Sequence, residues 1–351
     1  MIKVFTSIES VKKEWGRIKL SDFLDIHFLK IYYDFHSQIK HLFIVDSNMR
    51  LYAHIFKLKF NKTKNYLNNN SLINIVLSAI NFNVLYLTNS FITNLPAFVS
   101  DKKINLNQLL NAIQDNYSLI VIPEFLFKKM QVEDNNYAKI EVEEEMVLDI
   151  QNKWNTLEDY MLDLRKKYRN KLKNIIKKTR VLEVRVLDLE SLNDYNIQMQ
   201  DLFLQVVNSS RFKGPDFNID SFSLFVQQRF MTVHGYFLND KLVAFSSQIE
   251  REEVLYSYFV GFDKTLNKSF PIYGRILLEN INNAIQLKKK SLILGRTANE
   301  FKSNFGAFPI KSFVYLKLRN KFLDTIFKSV YRRLSIQNWT QRHPFRKDLV
   351  K

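Results

Sequence analysis

The hydrophobic and polar positions of the first 150 residues predict a mixed α/β domain. Two opening segments, SIESVKKEWGRI and SDFLDIHFLKIYYDFH, have helical spacing, and each begins with a serine that can cap a free backbone N–H. HLFIVDSNMRLYAHIFKLKF then alternates like two strands around a tight turn. The half ends in AKIEVEEEMVLDI, a predicted strand whose acidic run is typical of an exposed sheet edge that discourages pairing.

From Trp154 onward the pattern predicts one long helix and then a second α/β region. The apolar residues of NTLEDYMLDLRKKYRNKLKNIIKK form a single helical stripe, namely Leu157, Met161, Leu164, Tyr168, Leu172 and Ile175. Beyond the helix, the periodicity predicts the element order β-α-α-β-β-β-α-β-α-β. We therefore expect an α+β (mixed α/β) chain with domains at 1–150 and 181–320, a basic linking helix at 151–180, and a basic amphipathic helix and tail at 321–351.

The positive charge of the chain is concentrated in two places. The formal net charge is +17, from 52 basic and 35 acidic residues. The segment RKKYRNKLKNIIKKTR holds nine basic residues and no acid, and residues 317 to 351 hold ten basic residues against Asp324 and Asp348. Such surfaces attract nucleic acid, anionic membranes, phosphorylated cofactors or acidic carrier proteins, although solvated lysine faces are the plainer interpretation. The candidate polyanion-binding residues are Lys166, Lys167, Arg169 and Lys171.

Composition and motifs exclude several classes of protein. The chain has no cysteine, so disulfides, thiolate catalysis and cysteine-ligated zinc are excluded. No signal peptide and no stretch of about 18 apolar residues is present, which predicts a cytoplasmic protein. No Ser-His-Asp order, HExxH, Walker A or DFG pattern appears, and we expect no metal.

Three stretches of the second half carry a resemblance to a known family. They are WNTLEDYMLDLRKKYRNKLKN, SFPIYGRILLENINNAIQL and LGRTANEFKSNFGAFP. In this order they resemble double-GNAT acyltransferases of the FemABX-like and BioF2-like type, and the last is similar to the family's GR…E.K…Ga signature. The predicted element order of both halves is also similar to the GNAT fold. The resemblance implies two tandem GNAT-like (acyl-CoA N-acyltransferase) domains with a basic helical insertion.

The resemblance implies that the acyl donor lies at the start of the helix in NKSFPIYGRILL. Free amides at a helix start attract phosphate, Pro271 has no N–H to leave unpaired, and Gly274 would let an anion approach the backbone. The family's fuller glycine loop is not present, and an ordinary helix that begins with proline is the alternative interpretation. The implied donor is a thioester, acyl-CoA or acyl carrier protein, with aminoacyl-tRNA as the alternative. The predicted donor-binding residues are Lys268, Ser269, Pro271, Tyr273, Gly274 and Arg275.

The remaining candidates lie on the predicted central strands and in LGRTANEFKSNFG. A transferred acyl group requires a proton acceptor and donors for the oxyanion. On IEREEVLYSYFVGF the residues Val254, Tyr256, Tyr258 and Val260 are predicted to share one face. Arg296 either clamps a ligand carboxylate or phosphate or forms a buried ion pair with Glu300. The candidate catalytic residues are His234, Tyr256, Tyr258, Arg296 and Glu300, and the candidate substrate-binding residues are Gln248, Gly295, Thr297 and Lys302.

The sequence and the resemblance together predict an N-acyltransferase that acts on an amine of a lipid or cell-envelope precursor. The alternatives are a FemABX-like transferase that uses aminoacyl-tRNA, and a basic nucleic-acid-binding protein that has lost the chemistry. The first half has no candidate donor loop, so we expect it to be structural or to shape the acceptor site. The apolar stripe of RNKFLDTIFKSVYRRLSIQNW either packs on the first half or attaches the protein to the inner face of an anionic membrane.

Overall fold

The structure is a computed structural model that describes residues 1–59, 81–92, 95–132, 136–208, 214–331 and 338–346. The chain divides into two compact units. The first comprises Met1–Val142, Arg211–Asn218 and Lys311–Gln337, and the second comprises Glu143–Ser210, Ile219–Ile310 and Asn338–Lys351. The basic helix therefore belongs to the second unit, and the C-terminal helix belongs to the first.

The first unit is a mixed sheet with helices. Its strands pair antiparallel in the order β1-β2-β3-β4, β4 then pairs parallel with β7, and β7 pairs antiparallel with Val314–Leu318 of β15. The elements are β1 (Lys3–Phe5), α1 (Ile8–Trp15), α2 (Ile26–Phe35), β2 (Lys40–Asp46), β3 (Met49–Lys59), β4 (Asn81–Tyr86), β5 (Phe98–Ser100), β6 (Ile104–Asn105), α3 (Leu106–Ala112), β7 (Leu119–Pro123), α4 (Glu124–Phe127), β8 (Met130–Gln131), β15 (Phe308–Leu318) and α12 (Lys321–Tyr331), with a short 3-10 helix at Asp22–Leu24.

Buried histidines lie beside the aliphatic core of the first unit. His36, His41 and His54 are all almost fully enclosed among aromatic rings. A ring nitrogen of His41 lies 2.7 Å from the hydroxyl of Tyr52, and one of His54 lies 2.7 Å from the hydroxyl of Ser90. Burial lowers the pKa of His36 and of His41 to about 4, so both rings are neutral at pH 7.

The second unit has the strand and helix order predicted for it, with one additional helix, except that most of the predicted final strand, Lys311–Leu318, belongs to the first unit. Its sheet runs Met146–Asp149 of β9, then β14, β13, β12, β11 and β10; β13 and β14 are parallel and the other pairs are antiparallel. This confirms the mixed α/β class. The elements are β9 (Ala138–Asp149), α5 (Leu157–Asp163), α6 (Lys166–Thr179), β10 (Glu183–Val186), α7 (Leu189–Asp194), α8 (Asn196–Val207), α9 (Ser221–Gln227), β11 (Thr232–Leu238), β12 (Lys241–Glu250), β13 (Val254–Phe262), α10 (Ile272–Gln286), β14 (Ser291–Gly295) and α11 (Asn299–Ser303), with a 3-10 helix at Leu266–Lys268.

The predicted long helix of the second unit is two helices, so the single stripe was wrong at one point. Leu164 has extended backbone angles between α5 and α6. There it forms a β-bridge with Phe345, and the N–H of Arg165 donates to the carbonyl of Pro344 at 2.8 Å. The C-terminal segment 338–346 thus supplies backbone partners for Leu164 and Arg165. In a continuous helix these groups would have bonded within the helix. The stripe itself is retained, because Leu172 and Ile175 are buried in the core of the unit.

Candidate active site

The parallel strands β13 and β14 separate within the second unit. They pair only at three positions, Val254 to Tyr256 against Ser291 to Ile293. Beyond that point β13 continues to Phe262, whereas β14 ends at Gly295. The separation leaves an opening at the carboxyl end of β14, a place where ligands collect in α/β sheets.

A bulge in β13 lies beside this opening and changes which residues share a face. The pairing of β12 with β13 shifts register, so Tyr258 and Phe259 together oppose Ser247. The Ser247 hydroxyl accepts from the Phe259 N–H and donates to the Phe259 carbonyl, both at 2.9 Å, which holds the bulge. Val260 consequently packs with the apolar cluster that includes Ile276 of α10. The prediction that Val254, Tyr256, Tyr258 and Val260 share one face was wrong for Val260.

Lys302 is the most unusual ionisable group at the opening. It lies on α11, is 2% exposed, and its Nζ donates to the carbonyls of Gly295 at 3.0 Å and Arg296 at 2.8 Å. Burial lowers the pKa of Lys302 to about 7, while the carboxylates of Glu145 and Glu143 oppose this shift. Two hydrogen positions on Nζ are therefore used in these bonds. At neutral pH the third position carries a proton in some molecules and a lone pair in a comparable number of others.

Three further ionisable residues interact around the same end of β14. Burial raises the pKa of the Tyr256 hydroxyl above its ordinary value, the carboxylate of Glu145 adds to the rise, and the guanidinium of Arg296 opposes it. Glu145 is buried and precedes Met146, which pairs with Gly295. The structure thus brings together Tyr256, Arg296 and Lys302, three predicted site residues, with Glu145, which the sequence had indicated as part of an exposed edge. Perturbed ionisable groups of this kind concentrate at functional sites.

The backbone that follows β14 is held in left-handed conformations. Gly295, Thr297 and Ala298 have φ of 71°, 66° and 51°. Because α11 begins at Asn299, Arg296 and Thr297 lie in the turn between β14 and α11. Two successive non-glycine residues with positive φ cost free energy and are retained mainly where surrounding structure fixes them. The turn orients the carbonyls of Gly295 and Arg296 toward the Nζ of Lys302.

Glu300 and Gly306 both lie against the C-terminal segment. The carboxylate of Glu300 pairs with the guanidinium of Arg342 in the C-terminal segment, so the ion pair suggested with Arg296 is not its contact. Gly306 follows α11 with φ of 90°, and a Cβ there would lie 2.3 Å from the Phe345 ring. Gly306 is therefore structural, as expected of a glycine that ends a helix.

Most backbone N–H groups of the predicted donor loop donate to oxygen atoms of the protein itself. At the start of α10, the Tyr273 N–H donates to Oδ1 of Asn267 at 3.0 Å, and the Ile272 N–H donates to the carbonyl of Phe270 at 2.6 Å. A Cβ on Gly274 would lie 2.9 Å from Cδ1 of Ile175, so this glycine permits α10 to approach α6. The side on which Gly274 lacks a Cβ therefore faces a side chain, and contact of its backbone with a donor stays a prediction.

The other predicted donor residues are dispersed around that turn. Lys268 and Ser269 are exposed, Pro271 immediately precedes α10, and Arg275 pairs with Glu279 at 2.6 Å. The ring of Tyr273 lies in a row that runs from Phe262 on β13, at 5.6 Å between centroids, to Phe301 on α11, at 5.5 Å. Aromatic side chains therefore extend from β13 to α11 beside the opening.

His234 and Gln248 belong to a separate polar network between α10 and the sheet. Asn283 Nδ2 donates to Gln248 Oε1 at 3.2 Å and lies 3.3 Å from His234 Nε2. Gln248 Nε2 donates to Asn280 at 2.6 Å, and Asn280 Nδ2 donates to the hydroxyl of Ser257 at 2.9 Å. Burial lowers the pKa of His234. The structure gives these two residues interior partners, not a place beside Lys302.

The predicted polyanion-binding residues lie along α6, and two of them share a pocket. Lys167 and Lys171, one turn apart, line a concavity with Arg342. Lys166 is exposed and Arg169 is half-buried, and neither lines this pocket.

On α12, Phe322 and Leu323 are exposed, whereas the side chains of Ile326, Phe327, Val330 and Tyr331 and the whole of Leu334 lie outside the described residues. Membrane attachment therefore stays a prediction. No helix in the described ranges has the length and apolar character required to cross a bilayer.

Two residues of the candidate sites were missed by the sequence. Nothing local distinguishes Glu145 from Glu143 and Glu144; its position is set by pairing of the next residue with Gly295. Arg342 lies 42 residues from Glu300, in a segment that the sequence indicated only as a basic tail. The signature residues Glu300 and Lys302 were the one local signal that pointed to this region.

Comparisons with known proteins identify the fold. The sequence matches no protein-family model, and the comparison with curated proteins gives no match. The L-PGS structure from Bacillus licheniformis is similar with a TM-score of 0.54 and 13% identity, over 94% of this chain and 96% of that one. FemX is similar with a TM-score of 0.50 and 9% identity, over 93% and 100% of the two chains.

A tandem GNAT protein from the clavulanic acid biosynthesis pathway is also similar, with a TM-score of 0.50 and 7% identity, over 91% of this chain and 99% of that chain. The likeness extends over nearly the full length of each neighbour. The chain therefore has the tandem GNAT-like fold that FemX shares.

Proposed function

We propose that the second unit transfers an acyl group from an activated ester or thioester to an amine, with Lys302 as the proton acceptor. The observation that carries the proposal is the buried Lys302 at the open end of β14, with a pKa lowered to about 7. A base is most effective when its pKa is near the working pH. The fold of the neighbours, which include FemX and a tandem GNAT protein, supports a transferase.

The proposed step balances as follows. The amine nitrogen attacks the carbonyl carbon of the donor, and a C–N bond forms. Neutral Lys302 accepts the proton that the nitrogen loses, the C–O or C–S bond of the donor breaks, and protonated Lys302 returns that proton to the leaving oxygen or sulfur. We infer that Arg296 and Tyr256, which interact electrostatically with each other, stabilise the negative charge that develops on the carbonyl oxygen.

The start of α10 supports a donor that is not held there by a pyrophosphate. Two of its first amides already donate to Asn267 and Phe270, and Gly274 faces Ile175. Aminoacyl-tRNA and acyl carrier protein do not need pyrophosphate binding at the start of α10. Both are polyanions, which a chain of net charge +17 attracts. We infer that one of these two is a better donor than acyl-CoA, and that the acceptor is an amine of a lipid or cell-envelope precursor.

The test supplies the purified full chain with radiolabelled acyl-CoA, acyl-loaded carrier protein or aminoacyl-tRNA, and with an extract of polar lipids and envelope precursors as acceptors. We expect transfer from one of the last two donors. Lys302→Met and Lys302→Arg should each lower the rate about 100-fold or more, because arginine keeps the charge but does not accept a proton. Transfer that survives in Lys302→Arg would show that Lys302 acts only as a charge, and transfer that survives in both variants would reject the site.

A further inference from the structure

A pocket of about 580 Å³ lies on the second unit, between α6, α11 and the C-terminal segment. Its lining residues are Lys167, Tyr168, Lys171, Glu300, Phe301, Asn304 and Arg342. None of the residues at the start of α10 lines it. The volume is in the range of pockets that hold small molecules.

The pocket has an excess of positive charge. Three cations and one carboxylate line it, and that carboxylate, Glu300, is already paired with Arg342. Partial burial, then the charges of Arg342 and Lys167, lower the pKa of Lys171, whereas Glu300 opposes this shift. The cations therefore repel one another, and a bound anion would relieve that repulsion.

Two of the lining residues have groups free to contact a ligand. Among the described residues, Lys167 has no ion pair or hydrogen bond, and its one contact of this kind is with the neighbouring Tyr168 ring, 6.0 Å from its centroid. The ring of Tyr168 packs against the hydrophobic core of the unit and also lines the pocket, and within the same part of the chain it stacks on no other ring and its hydroxyl makes no hydrogen bond. Lys171, by contrast, donates to Asn304 at 3.0 Å and lies 5.3 Å over the Phe301 ring.

We propose that this pocket binds a nucleotide, with Lys167, Lys171 and Arg342 on the phosphate and Tyr168 as the surface on which the base stacks. Each of these groups has a physical reason for the role: ammonium and guanidinium groups bind phosphate oxygens, and aromatic rings stack on bases of any sequence. A simple phosphate or a lipid headgroup would contact the cations alone, whereas a base would also cover the side of the Tyr168 ring that lines the pocket. The inference does not depend on the proposed transferase activity.

The test is a calorimetric titration of the full chain at low salt with AMP, and separately with inorganic phosphate. We expect AMP to bind more tightly than phosphate. Lys167→Ala should weaken AMP about tenfold, as expected for one hydrogen bond to a charged group. Lys173→Ala is the matched control, since it removes one positive charge from the same helix at a lysine that pairs with Glu158 at 4.0 Å and does not line the pocket; it should leave binding unchanged.

The aromatic part of the proposal has its own variants. Tyr168→Leu should weaken AMP about tenfold and leave phosphate binding unchanged, whereas Tyr168→Phe should retain AMP binding. Thermal unfolding of each variant checks that the fold is intact. Equal affinity for AMP and phosphate, or equal losses in Lys167→Ala and Lys173→Ala, would overturn the proposal.

Two additional ligands identify the source of the nucleotide. An eight-residue oligoadenylate RNA that binds more than tenfold tighter than AMP, with a steeper salt dependence, would indicate RNA. Equal affinity would indicate a free nucleotide. Vesicles of phosphatidylglycerol that bind through Lys167 in a protein that does not bind AMP would show a lipid site and refute the nucleotide.

Discussion

Replacement of Lys302 by methionine gives a test of the candidate site that needs no substrate. The lysine is 2% exposed, and burial lowers its pKa from 10.5 to about 7. The unfolded chain binds a proton at this lysine up to about pH 10.5, whereas the folded protein releases it from about pH 7. Between these two values the unfolded state holds more protons, so this residue makes the folded protein more stable as the pH rises.

The magnitude follows from the two pKa values. At pH 7 the shift costs the folded protein about 4 kcal/mol, and at pH 9 about 2 kcal/mol. Methionine has no such cost at either pH. The variant also leaves the carbonyls of Gly295 and Arg296 without their donor, but that loss does not depend on pH. Wild type should therefore gain about 2 kcal/mol relative to Lys302→Met when the pH rises from 7 to 9.

The assay is urea unfolding of both proteins at pH 7 and pH 9, with the difference in unfolding free energy compared between the two conditions. Lys173→Met, which replaces an exposed lysine of α6, controls for the loss of one positive charge. A difference between wild type and Lys302→Met that is the same at both pH values would refute the lowered pKa, and with it the role of Lys302 as a proton acceptor at neutral pH.

Two further predictions concern stability. His36 and His41 have pKa values of about 4 in the folded protein because both are buried, whereas in the unfolded chain they bind protons as the pH falls below 6.5. We therefore expect the free energy of unfolding to decrease by about 2 kcal/mol per histidine between pH 8 and pH 5. In His41→Gln, urea unfolding should depend less steeply on pH. Gly261→Ala should destabilise by about 2 kcal/mol, because its Cβ would lie 2.7 Å from the backbone nitrogen of Phe203 on α8, and an unchanged melting temperature would contradict this packing.

Most of the fold could be predicted from the sequence, because periodicity and turn residues are features of short stretches of the chain. The strands and helices of the second unit follow from alternation and helical spacing, and their order implied the GNAT-like arrangement that the comparisons show. The two errors in this region depend on distant contacts. Leu164 leaves the helix because Phe345 pairs with it, and the β13 bulge depends on the Ser247 hydroxyl of the neighbouring strand. A periodicity argument has no access to either partner.

The candidate site was harder to predict from the sequence, because it depends even more on contacts between residues that are distant along the chain. Gly274 lies in the first turn of α10 in the same way whether its open side meets a phosphate or Ile175, 99 positions earlier in the chain, and only the packing of α10 on α6 decides between them. Lys302 stood out in the sequence as part of a signature and was assigned to substrate binding. Burial lowers the pKa of Lys302, and its two carbonyl acceptors, which hold its Nζ in place, depend on the left-handed turn after β14. A lysine left in water at that position would be fully charged at neutral pH, so the turn and the enclosure, more than the residue type, are what make proton transfer by Lys302 feasible.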